Sequence, residues 1–350
     1  MRPLRQLGEL ALLDWIRKRA GGKKGIGGKN LLVGIGDDAA AFRLTPGKAA
    51  LATSDMMVEG VHFDTRYYTP YQLGFKIVSV NASDIYAMGG VPRLALFTLA
   101  APPETETGFI KKIFEGVLAA LGLYGARLAG GDLSASHSGL VLDMTVIGEA
   151  DEVIKRSGAR VGDGVFVTGP LGDSACGLAL LKEMAEPVAV EKGASARDKL
   201  KRLSRKWRSS LQWETVKPLV VRHLMPVAKR PPGRVLTAML DISDGLLLDV
   251  SRLCKESGVG VRIYEDKIPV SGPMRRAAET LGLDPLALAK TGGEDYELLY
   301  TAPQGQKRKN MGRNKGGILI GEVIPAGRYM VDAAGKMKRF KAQGYEHFGK

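Results

Sequence analysis

Two periods alternate along the chain. Apolar side chains recur at helical spacing over residues 4–19, and over residues 71–88 at Phe75, Val78, Ala82, Ile85 and Met88, where Gly89-Gly90 and Pro92 give a stop signal. Further helices are predicted over residues 104–123 and 175–184, and after Ser243-Asp244, where Leu246, Val250 and Leu253 run to Gly258. Between them lie short apolar runs bounded by glycine, proline or aspartate, which read as strands: one from Leu31, then residues 49–54, 94–100, 126–129, 141–148, 164–169, 235–241, 259–264 and 318–324, with another after Gly292-Gly293. Helix and strand alternate in both halves without a fixed short repeat, so two α/β domains are expected. The polar, turn-rich stretch 151–164 marks the boundary, giving residues 1–150 and 151–350.

The ends of these apolar runs carry the candidate chemistry. Leu31-Leu-Val-Gly-Ile-Gly-Asp-Asp38 is a strand that turns on glycines into two adjacent carboxylates. Burying one unpaired carboxylate costs several kcal/mol, so a pair on a tight turn either caps its own backbone or holds a cation. Repetition favours the cation, because acidic groups recur at Thr53-Ser-Asp55, Asn81-Ala-Ser-Asp84, Gly130-Gly-Asp132 and Asp241-Ile-Ser-Asp244. Oxygen-only ligands point to Mg²⁺. With no Ser-His-Asp or Cys-His arrangement, metal-assisted chemistry on a phosphate follows, with a nucleoside triphosphate as donor.

Two other phosphate motifs fail. Gly34-x-Gly36-x-x-Ala39, with Asp55 downstream, echoes a dinucleotide fingerprint, but Thr45-Pro-Gly47 leaves no room for the crossover helix. The lysine-rich stretch 21–30 lacks the spacing and the Ser/Thr of a P-loop, and reads as a surface loop.

Composition changes the picture in one respect. The chain has 350 residues, 45% of them hydrophobic and 25% charged, enough for two cores without staples. Its two cysteines, Cys176 and Cys254, fit structural thiols in a reducing compartment. No apolar run is long enough for a signal peptide or a membrane span, so a cytoplasmic protein without a membrane partner is expected. The net charge of +14 is unusual, and residues 17–24, 192–208, 307–315 and 336–341 carry much of it. Polyanionic ligands fit this balance, whereas nucleic acid is disfavoured because aromatic residues do not interleave the basic runs. Leu200, Leu203, Trp207 and Leu211 fall at helical spacing and predict a basic amphipathic helix.

Eight stretches together resemble one family: Gly34-Ile-Gly-Asp-Asp-Ala, Ser54-Asp55, Glu59-Gly-Val-His-Phe, Val80-Asn-Ala-Ser-Asp-Ile-Tyr-Ala-Met-Gly-Gly, Gly130-Gly-Asp, Arg156-Ser-Gly-Ala, Asp241-Ile-Ser-Asp-Gly and Gly292-Gly-Glu-Asp-Tyr-Glu. They resemble the thiamine-monophosphate kinases, of the aminoimidazole ribonucleotide synthetase-like superfamily. The resemblance implies a two-domain α/β (α+β) architecture whose N-terminal sheet forms a barrel at a homodimer interface. It also implies ATP-dependent phosphorylation of thiamine monophosphate to thiamine diphosphate by direct in-line transfer on several Mg²⁺ ions, with ATP as co-substrate. On this likeness Asp38, Thr53, Ser54, Asp55, Asp84, Asp132, Asp241 and Asp244 fall on metal positions, and Asp38, Asp55, Asp84 and Asp132 carry the catalysis. Gly131, Asp132, Arg156 and Ser243 fall on nucleotide contacts, and His62, Glu294 and Tyr345 on the thiamine-phosphate site. An aromatic face and a carboxylate suit a cationic thiazolium, while a lone histidine such as His62 is more commonly a satisfied core residue. Two departures stand out: the basic segment 191–212 is longer than the family needs, and Leu133-Ser134 stands where threonines are frequent. The alternatives are another ATP-dependent enzyme of the same superfamily or a basic nucleic-acid-binding module.

Overall fold

The computed structural model describes residues 3–20, 30–35, 38–190, 211–233, 235–304 and 317–347. The glycine-lysine loop, Gly36-Asp37 and nearly all of the predicted basic amphipathic helix lie outside them. The chain divides into two compact units, one of residues 1–153 with 186–188 and a second of 154–185 with 189–350.

In the first unit the leading helix is broken into α1 (Leu4–Leu7) and α2 (Glu9–Ala20), because Gly8 between them takes a φ of 80°. A short ladder of β1 (Leu31–Val33) and β2 (Ala41–Phe42) follows. The main sheet has the order β3-β6-β4-β5, built from β3 (Ala49–Val58), β4 (Val91–Ala101), β5 (Arg127–Ala135) and β6 (Val141–Ala150). β4 and β5 run parallel; the other pairs are antiparallel. Within the chain this sheet stays open and closes no barrel among the described residues. Alternation sorts β3: Leu51 and Met57 are buried, whereas Ala50, Ala52, Ser54 and Met56 are exposed.

Two helices cover the inner face, α3 (Pro70–Ala87) and α4 (Thr107–Tyr124). α3 begins in a capping box, with Thr69 Oγ1 accepting from Gln72 N at 3.4 Å and Gln72 Oε1 accepting from Thr69 N at 2.9 Å. Its apolar positions do not form a stripe. They surround it, and almost the whole helix is buried, which requires a close neighbour. Glycine supplies the closeness: a Cβ on Gly74 would overlap the Ile113 carbonyl, and one on Gly116 the Tyr71 carbonyl.

In the second unit a mixed seven-stranded sheet has the order β13-β12-β9-β11-β7-β10-β8. Its strands are β7 (Asp163–Val167), β8 (Ala238–Ile242), β9 (Gly260–Tyr264), β10 (Glu297–Pro303), β11 (Ile318–Ile324), β12 (Arg328–Val331) and β13 (Met337–Arg339). Helices α5 (Asp173–Met184), α6 (Trp213–Leu224), α8 (Gly272–Leu281) and α9 (Pro285–Thr291) pack on one another, and α7 (Leu246–Ser257) packs on β8 and β9. Cys176 and Cys254 are free and buried, and burial pushes their thiols up to about 12 and about 11. Among the described residues no helix is long and apolar enough to cross a membrane.

Gly116→Ala is expected to cost about 1–3 kcal/mol, since its methyl must push α3 off α4. Urea unfolding checks this, and an unchanged midpoint would contradict the backbone contact.

Candidate active site

The first unit gathers its acidic residues along β3 and α3. Thr53, on the inner face of β3, donates from Oγ1 to Asp84 Oδ2 of α3 at 2.5 Å. Two residues on, the Asp55 N–H donates to Asn81 Oδ1 at 3.1 Å. The shared helix face of Asn81 and Asp84 is thereby fixed to one strand, and Asp55 and Asp84 are both half-buried. Ser54 belongs to the other face, where its Oγ lies 3.2 Å from Thr145 Oγ1 and 3.4 Å from Asp143 Oδ2. Asp55 does not end its strand as predicted, because β3 continues to Val58 against β6.

Gly130-Gly-Asp132 is likewise no strand end. Parallel pairing with β4 carries β5 through it, setting Gly131 opposite Phe97 and Asp132 opposite Thr98. Gly131 has a φ of 151°, and a Cβ there would overlap the Phe97 carbonyl, so the glycine serves a close strand approach. Asp132 and Asp38 are exposed. His62 sits in the turn after β3, its Nδ1 accepting from Val58 N at 3.0 Å, which leaves the proton of the neutral ring on Nε2. Among the described residues no three His, Cys, Asp or Glu side chains converge into a metal cage. Thr53, Asp55 and Asp84 nevertheless fit a hard cation: all are oxygen donors, and their backbones are fixed by regular structure.

The second unit assembles a separate group around the turn after β8. Asp241 is buried on β8 opposite Leu298. Glu294 N donates to Ser243 O at 2.7 Å, and Tyr345 N to Asp244 O at 3.0 Å. Glu294 and Tyr345, 51 positions apart, are therefore both docked on Ser243-Asp244. Asp244 and Asp249 share the Arg252 guanidinium, at 2.5 and 2.8 Å. Burial pushes Asp249 up to about 6, against the pull of Arg252. Arg156 is exposed, and its side chain has no ion-pair partner among the described residues.

Sequence reasoning missed the support beneath Glu294. The buried His223 of α6 places Nδ1 3.3 Å from Glu294 Oε2 and 3.1 Å from Ser174 Oγ. Its neighbour Arg222 binds Glu297 Oε1 at 2.7 Å and the Asp295 carbonyl at 3.1 Å. Asp295 is fully buried and accepts from Gly172 N and Ser174 N at 2.5 and 3.1 Å. Glu294 and Tyr296, on either side of it, are both held at positive φ, 63° and 50°. Burial pushes Asp295 up to about 7, opposed by the two N–H donors and Arg222. The available signal was the acidic run Glu294-Asp-Tyr-Glu297, which needs buried cations, together with the adjacent pair Arg222-His223.

Residues 36–150 match the AIR synthase related protein N-terminal domain family, and residues 160–331 the corresponding C-terminal domain family. A thiamine-monophosphate kinase of Aquifex aeolicus is 34% identical over 99% of both chains, and one of Bacillus subtilis 35% identical over 77% of each. The chain belongs to the thiamine-monophosphate kinase family. A solved structure described as AaThiL complexed with AMPPCP and TMP matches 99% of both chains at 32% identity and a TM-score of 0.72. The hydrogenase maturation protein HypE in complex with ATP, at 17% identity and a TM-score of 0.66, shares the fold. Both thus carry the mixed α/β two-domain architecture expected from the motifs.

Asp295 keeps a proton in the folded chain up to about pH 7, whereas an unfolded aspartate loses it near pH 4. Between those values the native state binds more protons, so the unfolding free energy falls as pH rises. Asp295→Asn is expected to flatten that part of the profile in urea titrations run from about pH 5 to about pH 8. An unchanged slope in the variant would move the titration to another group.

Proposed function

We propose that the chain transfers the γ-phosphoryl group of ATP to the phosphate of thiamine monophosphate, yielding thiamine diphosphate and ADP in the cytoplasm. An acceptor phosphate oxygen forms the new bond to γ-phosphorus as the bond to the β–γ bridging oxygen breaks. No dedicated base is required, because the nucleophile is already anionic. The observation that carries this reading is end-to-end similarity to a thiamine-monophosphate kinase, with the acidic residues held on regular structure as such a site needs.

Residues of the N-terminal domain (1–150) bind Mg²⁺ and ATP: Asp38, Thr53, Asp55, Asp84 and Asp132 hold metal, Ser54 being set aside because its hydroxyl lies on the opposite face of β3, and Gly131 and Asp132 meet the nucleotide. From the C-terminal domain (151–350), Asp241 and Asp244 add metal positions, Ser243 and Arg156 meet the nucleotide, and Arg156 offers a fork to phosphate oxygens. Bound Mg²⁺ neutralises the charge of the transferring phosphoryl group. His62, Glu294 and Tyr345 receive the thiamine phosphate, with Glu294 facing the cationic thiazolium and His223 orienting Glu294 from beneath. The working unit is a homodimer that buries the exposed side of the β3 sheet, where Ala50, Ala52 and Met56 supply small apolar surface.

Purified protein with ATP, Mg²⁺ and thiamine monophosphate is expected to release ADP and thiamine diphosphate; ADP formed without thiamine diphosphate would sink the assignment. Asp84→Asn should lower turnover by about 10²-fold or more while keeping the fold, since an amide oxygen still accepts from Thr53. Wild-type turnover would remove Asp84 from the metal set. Tyr345→Ala should raise KM for thiamine monophosphate about tenfold and leave that for ATP nearly unchanged. Equal damage to both constants would make the tail a structural element only.

A further inference from the structure

The second unit contains an open cleft of about 490 Å³ that none of the assigned residues lines. It lies among the C-terminal half of α7, the entry to β9, the β12–β13 hairpin and the tail at Ala342. Arg252, Lys255, Arg328 and Arg339 line it, and no carboxylate does. Arg252 is committed to Asp244 and Asp249. The side chains of Lys255, Arg328 and Arg339 make no ion pair or hydrogen bond among the described residues, so three cations share one concavity uncompensated. Beneath them lie Leu248 and Cys254.

We infer that this cleft binds a phosphate-bearing small molecule carrying two or three phosphates. Its volume falls within the range of small-molecule sites, about 300–1,000 Å³. Three free cations exceed what a monocarboxylate would neutralise and match the charge of a di- or triphosphate, whose oxygens suit guanidinium forks. The C-terminus of α7 opposes an anion, yet its last carbonyls are partly satisfied: Gly258 N donates to Lys255 O and Val259 N to Cys254 O. An apolar floor suits the organic part of such a ligand. A nucleic-acid strand fits less well, because no aromatic side chain lines the cleft to stack a base.

The test is calorimetric titration of the full chain with inorganic tripolyphosphate in EDTA, where the metal-free carboxylates of the first unit repel polyphosphate. Saturable one-site binding is expected, weakened about tenfold or more in the double variant Arg328→Ser/Arg339→Ser. A control of equal charge change on the exposed face of α8, Arg275→Ser/Arg276→Ser, should bind like wild type. If the first double variant misfolds by circular dichroism, Lys255→Ser, on an exposed position of α7, carries the same expectation of weakened binding. Absence of saturable binding, or equal weakening in the cleft variants and the control, overturns the inference. So does tighter binding of a short single-stranded DNA that the cleft variant abolishes, which would assign the cleft to a nucleic-acid backbone.

Discussion

The contact of α3 with α4 through paired glycines governs the first unit. Because Gly74 and Gly116 bring two backbones together, both helices fit over one four-stranded sheet, and α3 can be buried on nearly every side. A helix seated so firmly is a stiff mount. Asn81 and Asp84 hold β3 from it by hydrogen bonds to Asp55 N and Thr53 Oγ1, so two acidic positions from different elements keep a common frame. Carboxylates gathered without a counter-charge repel one another, and a looser support would let them separate. Helix packing and acidic constellation are therefore one design, in which close packing supplies the rigidity that charge concentration demands.

The second unit meets the same problem by compensation. Asp173, Asp295 and Glu297 are buried around Arg222, with backbone donors from the start of α5. Buried ion pairs contribute little net stability after desolvation but penalise any arrangement that leaves one charge alone. That penalty explains how Glu294 and Tyr296 stay at positive φ, where a loop without such pinning would relax. The strained loop and the buried charges beneath it thus specify a single conformation for the segment carrying Glu294.

Long periodic elements are legible in the sequence. The helix predicted over residues 71–88 is α3 (Pro70–Ala87), with Thr69 and Gly89 punctuating it, and the recurrent acidic segments are visible because their residue types are costly away from a purpose. Gly130-Gly-Asp132 reads as a strand end because glycines usually interrupt strands; only the parallel partner β4 reveals why a strand tolerates them. Helix α6 carries Pro218 and lies beside the basic segment, which hides its apolar face and with it Arg222 and His223. The β12–β13 hairpin has strands of only four and three residues, and its alternation is too brief to register. The acidic site can be found from composition at element ends, whereas its supports depend on contacts between distant segments: Glu294 with His223, and Tyr345 with Asp244.

The two sealed thiols have a chemical consequence. Oxidants and electrophiles attack the thiolate, and burial pushes the two thiols up to about 12 and about 11, so both stay protonated near neutral pH. Both sulfurs are also buried, so hydrogen peroxide or an alkylating agent that disables a thiolate enzyme meets almost no target here while the second unit stays folded. Cys254 borders the basic cleft and Cys176 does not, so reagent reaching the first alone would mark loosening at that surface, and modification of both would mark opening of the core.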